Sequence, residues 1–133
     1  MYVQNLRWNC DRVLADRITC FNRHYAENWV YFTETDFPEY ARKSKENITF
    51  YDVVTGKPVF RAPVGRTISE FLIESENHGW PSFRDDEVIW ENVRCLENGE
   101  TVSIDGSHLG HNLPDKNGNR YCINLVSIAG NEI

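Results

Sequence analysis

The sequence predicts a mainly β fold, with two antiparallel sheets in a sandwich or half-open barrel and a short helical segment at the N-terminus. Three observations carry this. From Ile48 onward, short apolar and β-branched runs recur, separated by turns rich in Gly and Asn. Residues 1–30 read differently, with apolar spacing closer to a helix than to a strand. The chain of 133 residues fits one domain, which buries roughly two-thirds of its unfolded surface without needing a metal or disulfides.

Asn9 or Asp11 is placed to cap a helix whose stripe is Val13, Leu14, Ile18 and Phe21. Trp29–Thr33 reads as a short strand or the exit of that helix. Ile48–Val54 is a strand, Thr55-Gly56-Lys57 a tight turn, and Pro58–Arg61 the return. Thr67–Ser75 has β character, although Ser69–Leu72 also suits one helical turn. Glu87–Leu96 and Thr101–Asp105 read as strands about the turn Glu97-Asn98-Gly99-Glu100. A polar loop holding Asp115-Lys116-Asn117-Gly118-Asn119 precedes a last strand, Arg120–Ile128. The domain organisation expected is an N-terminal extension over 1–36, helical in part, and a β domain over 37–133.

A formal net charge of −6 and the lack of a basic cluster beyond Arg42–Lys43–Lys45 argue against nucleic acid as a partner. Apolar runs are too short to span a membrane, and the N-terminus lacks the apolar stretch of a signal peptide. The expected location is therefore the cytoplasm, where Cys10, Cys20, Cys95 and Cys122 stay reduced.

Three groups of residues carry chemistry. Arg120, Cys122 and Asn124 alternate in a predicted strand, so a cation, a thiol and an amide share one face. An arginine beside a thiol lowers its pKa by favouring the thiolate. His108-Leu109-Gly110-His111, followed by Asp115, offers two imidazoles for proton transfer or metal binding, with Gly110 allowing a tight turn between them. His78-Gly79-Trp80-Pro81-Ser82-Phe83 sets a tryptophan in a loop, where an indole wall suits a methyl-thioether group. Taken singly, each group also fits a bland role: a buried thiol, solvated loop histidines, or a tryptophan plugging the core.

In this order, GWPSF at 79–83, HLGH at 108–111 with Asp115, and RYCIN at 120–124 resemble the B-type methionine-R-sulfoxide reductases over about residues 37–129. The resemblance implies a fold of two antiparallel sheets and Cys122 as the nucleophile. His108, His111, Asp115, Arg120 and Asn124 are then expected to shape and polarise the site. Trp80 and Phe83 are expected to bind the substrate methyl group. The implied substrate is methionine-R-sulfoxide, free or in proteins, reduced with His111 ahead of His108 as proton donor. The product sulfenic acid on Cys122 is recycled by thioredoxin or another thiol.

The sequence departs from the resembled pattern in three places. Asp52, Thr55, Val102 and Asp105 stand where many members carry zinc-binding cysteines, so no zinc and no other cofactor is expected. His78 occupies the usual place of the resolving cysteine, which leaves Cys95 as the internal candidate, with Cys10 and Cys20 in the N-terminal extension. Asn112-Leu113 replaces the usual apolar pair after HLGH, and the loop from Pro114 to Asn119 is short. Two alternatives stay open. One is a catalytically inactive, reductase-like module that binds methionine sulfoxide or another small ligand. The other is a metal protein using His78, His108, His111 and Cys122.

Overall fold

The structure, a computed structural model, describes residues 5–21 and 26–132. It is mainly β, with two antiparallel sheets and three short α-helices. In chain order the helices are α1 (Arg12–Asp16), α2 (Phe37–Lys43) and α3 (Ile68–His78). Strands β1 (Ile48–Tyr51) and β2 (Pro58–Ala62) make a hairpin on their own. The larger sheet holds β3 (Ser82–Phe83), β4 (Val93–Cys95), β5 (Glu100–Ser103), β6 (His108–Asn112) and β7 (Tyr121–Ile123), in the order β3-β7-β6-β5-β4.

Several expected elements change identity. Thr67–Ser75 is the start of α3, not a strand. The Thr67 side chain and the Glu70 carboxylate cap each other's backbone N–H groups, Phe71, Leu72 and Ser75 face inward, and Gly79 closes the helix at φ 87°. The strand expected over Glu87–Leu96 shrinks to Val93–Cys95 behind a 3₁₀ turn at Asp85–Glu87. The final strand ends at Ile123, where Leu125–Ser127 curls into another 3₁₀ turn. HLGH is a strand, not a turn. Gly110 is needed because a Cβ there would lie 2.1 Å from the Cys122 carbonyl oxygen on the neighbouring strand. Helix α2 went unread in the sequence.

At the N-terminus Asp11 caps α1 as expected, accepting from the N–H groups of Val13 and Leu14. The chain continues as a π-helical turn over Arg17–Phe21 that packs against β6. Ala15 and Ile18 form its buried face, while Val13 is exposed, so the predicted stripe is rotated. The Phe21 and Cys20 side chains lie outside the described part. Trp29–Thr33 is neither strand nor helix exit but a turn leading into a 3₁₀ helix, Tyr31–Glu34.

One core unites the elements. Phe37, Phe50, Phe60, Phe71 and Phe83 are fully buried, and Phe60 stacks on Phe83 with ring centroids 4.4 Å apart. Trp8, Ala15, Ile18 and Phe32 from the N-terminal extension join the same cluster. Among the described residues, no helix is long and apolar enough to cross a membrane.

Candidate active site

Pairing within the larger sheet gathers the site. In the registers Ser82↔Cys122 and His111↔Cys122, residues directly opposite one another project on the same face. Ser82, Cys122 and His111 therefore run across three adjacent strands. The Ser82 Oγ is 4.0 Å from the Cys122 Sγ. Arg120, two residues before Cys122, lies on the same face and brings Nη1 to 2.5 Å from Sγ. Cys122 itself is half-buried.

Opposing influences act on this thiol. Burial raises its pKa above the ordinary value, while the Arg120 charge and hydrogen bonds from Ser82 and Arg120 pull it down. Arg120 lowers the pKa as its place beside the thiol implies, but burial outweighs it and the net direction is upward, with Glu74 adding to the rise.

Arg120 ends a chain of alternating charges. Its Nε is 3.5 Å from the Asp115 carboxylate. Arg84 donates to the same carboxylate through Nη1 and Nη2 at 3.0 and 3.1 Å, and also donates to Glu74 through Nε at 3.2 Å and through Nη2. Glu74 in turn bonds Arg66 at 2.7 Å, and Arg66 bonds buried Glu87 at 2.6 Å. The Arg84 guanidinium holds the Asp115 carboxyl down at about 2. The sequence pointed to Asp115 and Arg120 but not to Arg84, Glu74 or Arg66. Nothing in their spacing distinguishes them from surface charges. His78 has a ring nitrogen clustered with carboxylate oxygens of Glu74 and Asp115, all within 4.8 Å. Both carboxylates already serve arginines, which works against a cation there.

The two histidines of HLGH differ. His108 is buried, with Nδ1 2.9 Å from Glu100 Oε2, so its ring is oriented by a carboxylate on the neighbouring strand, a pairing that residue spacing does not signal. His111 is exposed, and its Nε2 lies over Gly99, where an added Cβ would come within 2.6 Å. The imidazole thus shares a register position with Cys122 but rests on the β5 side of its own strand.

Asn124 and Trp80 are anchored to the N-terminal extension. Asn124 donates Nδ2 to the Leu109 carbonyl at 3.1 Å and accepts the Glu27 N–H at 3.0 Å. Asn124 is still extended and its N–H bonds the Leu109 carbonyl at 2.9 Å, while the contacts described for its amide are with Leu109 and Glu27 and not with Arg120 or Cys122. Half-buried Trp80 donates Nε1 to the Glu27 carbonyl at 3.2 Å, and its own carbonyl accepts from Ser82 Oγ at 2.9 Å.

Two expected site residues lie elsewhere. Phe83 alternates with Ser82 and points into the aromatic core, fully buried, so it is a core residue and not a substrate contact. Cys95 is on β4, and the chain of partners Cys95↔Thr101↔Gly110↔Ile123 places it three strands from β7. Three interstrand spacings amount to about 14 Å. A disulfide needs α-carbons within about 7 Å, so Cys95 cannot resolve Cys122 while the sheet is intact.

Around Asp52 and Asp105 the polar groups satisfy one another. Buried Asp52 accepts from Ser107 Oγ at 3.2 and 3.1 Å, from Thr55 Oγ1 at 3.2 Å and from the Val54 N–H at 3.0 Å. Lys57 meets Asp105 at 3.1 Å. No protein-family model matches the chain.

Proposed function

We propose that the protein reduces methionine-R-sulfoxide to methionine, with Cys122 as nucleophile. The observation that supports this most is a half-buried thiol held against a guanidinium, on a sheet face shared with Ser82 and His111. The motif resemblance supplies the substrate class.

In the proposed reaction the Cys122 thiolate attacks the sulfoxide sulfur. A proton passes to the sulfoxide oxygen, the S–O bond breaks, and the oxygen ends on Cys122 as a sulfenic acid. Sulfur of the substrate is reduced to the thioether while the cysteine is oxidised. His111 is the preferred donor, since its exposed ring can swing between rotamers on a picosecond-to-nanosecond timescale. Arg120, set by Asp115, favours the attacking thiolate. Two thiol groups of an external reductant, such as the pair in one thioredoxin or dithiothreitol molecule, then restore Cys122 and release water and a disulfide.

The test is turnover of resolved dabsyl-methionine sulfoxide epimers with dithiothreitol. The R epimer is consumed and the S epimer is not, and Cys122→Ser abolishes the reaction. Equal consumption of both epimers, or activity in Cys122→Ser, overturns the proposal. Binding of the R epimer with no turnover selects the non-catalytic module instead.

A further inference from the structure

Residues 27–30 lie outside the part of the chain that resembles the reductases, yet they are fastened to two places in the candidate site. Toward the end of β7, Glu27 Oε1 accepts from the Leu125 N–H at 3.0 Å and Oε2 from the Val126 N–H at 3.3 Å. The Glu27 N–H donates to Asn124 Oδ1 at 3.0 Å. Toward the Trp80 loop, the Glu27 carbonyl accepts from Trp80 Nε1, Trp29 Nε1 donates to the His78 carbonyl at 3.1 Å, and the Val30 N–H donates to the Gly79 carbonyl at 2.9 Å. The Trp29 ring lies so close over Gly79 that a Cβ there would come within 2.0 Å of it.

Glu27 is therefore the common tie of this strap. Glu27 is 2% exposed, and its carboxyl group spans two successive backbone donors, an arrangement that an aliphatic residue cannot reproduce. Its peptide group bonds a side chain on each side, Asn124 through the N–H and Trp80 through the C=O. Burying a carboxylate is costly, so a position that merely filled space would be served better by an apolar residue.

We infer that Glu27 is a positioning residue for the proposed sulfoxide site, one that sets the Trp80 wall and the Asn124 amide relative to Cys122. The inference rests on the reading of that site as a sulfoxide reductase. Glu27 touches no reacting atom. It acts by fixing the pocket that receives the methyl-thioether end of the substrate, so its loss weakens substrate binding more than the chemical step.

The experiment measures KM and kcat for the R epimer in the full-length wild type, Glu27→Ala and Glu27→Gln. Rates are divided by the folded fraction of each sample, read from its circular dichroism, so that unfolded protein does not count. Losing the two backbone hydrogen bonds that the Glu27 carboxyl accepts is expected to raise KM about tenfold in Glu27→Ala. In the same variant kcat stays within about twofold, the pattern of lost binding without lost chemistry. Glu27→Gln retains one acceptor and is expected to fall between wild type and alanine. Should Glu27→Ala fail to fold, Glu27→Gln with raised KM and near-normal kcat carries the result. Unchanged KM in both variants, or a deficit that vanishes on correction for the folded fraction, overturns the role of Glu27 while leaving the reductase reading intact. A wild type that turns over neither epimer overturns both.

Discussion

A thiol attacks as its thiolate, so the fraction of Cys122 ionised near neutral pH governs any chemistry it performs. Burial of the sulfur disfavours the charged form, and Arg120 at 2.5 Å opposes that effect without cancelling it. The guanidinium is thus the element that keeps a buried thiol usable. An opposite charge at this distance is worth roughly 1–3 pKa units. Arg120→Gln should raise the Cys122 pKa further and slow its alkylation by iodoacetamide at pH 7.5 by about tenfold or more, following that shift. Alkylation rate against pH, read in a Cys10→Ser, Cys20→Ser, Cys95→Ser background, checks this. An unchanged profile would mean that Arg120 does not sense the thiol's charge. Sulfoxide turnover by the wild type should likewise rise with pH through the thiol's elevated pKa, because the group is neutral below it. At this scale the sequence was informative. Alternation in RYC placed Arg120 beside Cys122, and the structure has them in contact. What alternation could not tell was the balance between burial and charge, which depends on what covers the strand.

At the scale of elements, register decides which residues meet. The β3–β7 pairing puts Ser82 opposite Cys122 and sends Phe83 into the core, and the β7–β6 pairing puts His111 opposite Cys122. The turn signals at Gly56 and Gly99 were legible because each demands positive φ, 76° and 93°. Thr67-x-x-Glu70 was a legible capping box too, but the apolar run that followed it read as β. Gly110 was misread as a turn residue because close backbone approach and tight turning call for the same residue. The order of strands in space was not legible at all, and it is the order that removes Cys95 from the site. With β6 and β5 between β7 and β4, a Cys95–Cys122 bond would require breaking the sheet. One equivalent of methionine-R-sulfoxide should therefore leave Cys122 as a dimedone-reactive sulfenic acid, or bonded to a cysteine other than Cys95. Cys95→Ser should turn over at close to the wild-type rate with dithiothreitol. A Cys95–Cys122 disulfide in the mass spectrum after one turnover would show that the sheet opens during recycling.

Across the whole molecule, the N-terminal extension and the β domain share one core and one set of buried polar ties, and those ties make stability depend on pH. Burial raises the Glu27 carboxyl from its ordinary 4.5 to about 8, against the pull of the Leu125 and Val126 N–H groups. In the unfolded chain Glu27 ionises near its ordinary value, whereas in the folded protein it holds its proton until about pH 8. The unfolded state thus binds fewer protons between those limits, and stability falls as pH rises through that window. The loss begins near pH 4.5, is complete above about 8, and amounts to a few kcal/mol for this one group. Asp52 shifts in the same direction, because burial outweighs its bonds from Val54, Ser107 and Thr55. Asp115 and Glu70 have depressed values, so their contributions are lost only as pH falls through the acid range, outside this window. The Cys10 thiol, pushed by burial to about 12, adds a second loss well above neutrality. Urea unfolding of the wild type should therefore show greater stability at pH 5.5 than at pH 8. Glu27→Gln carries no proton to lose and should flatten that slope, although it gives up one hydrogen bond at every pH. An equally steep fall in Glu27→Gln would assign the pH dependence to another buried group and leave Glu27 ionised throughout.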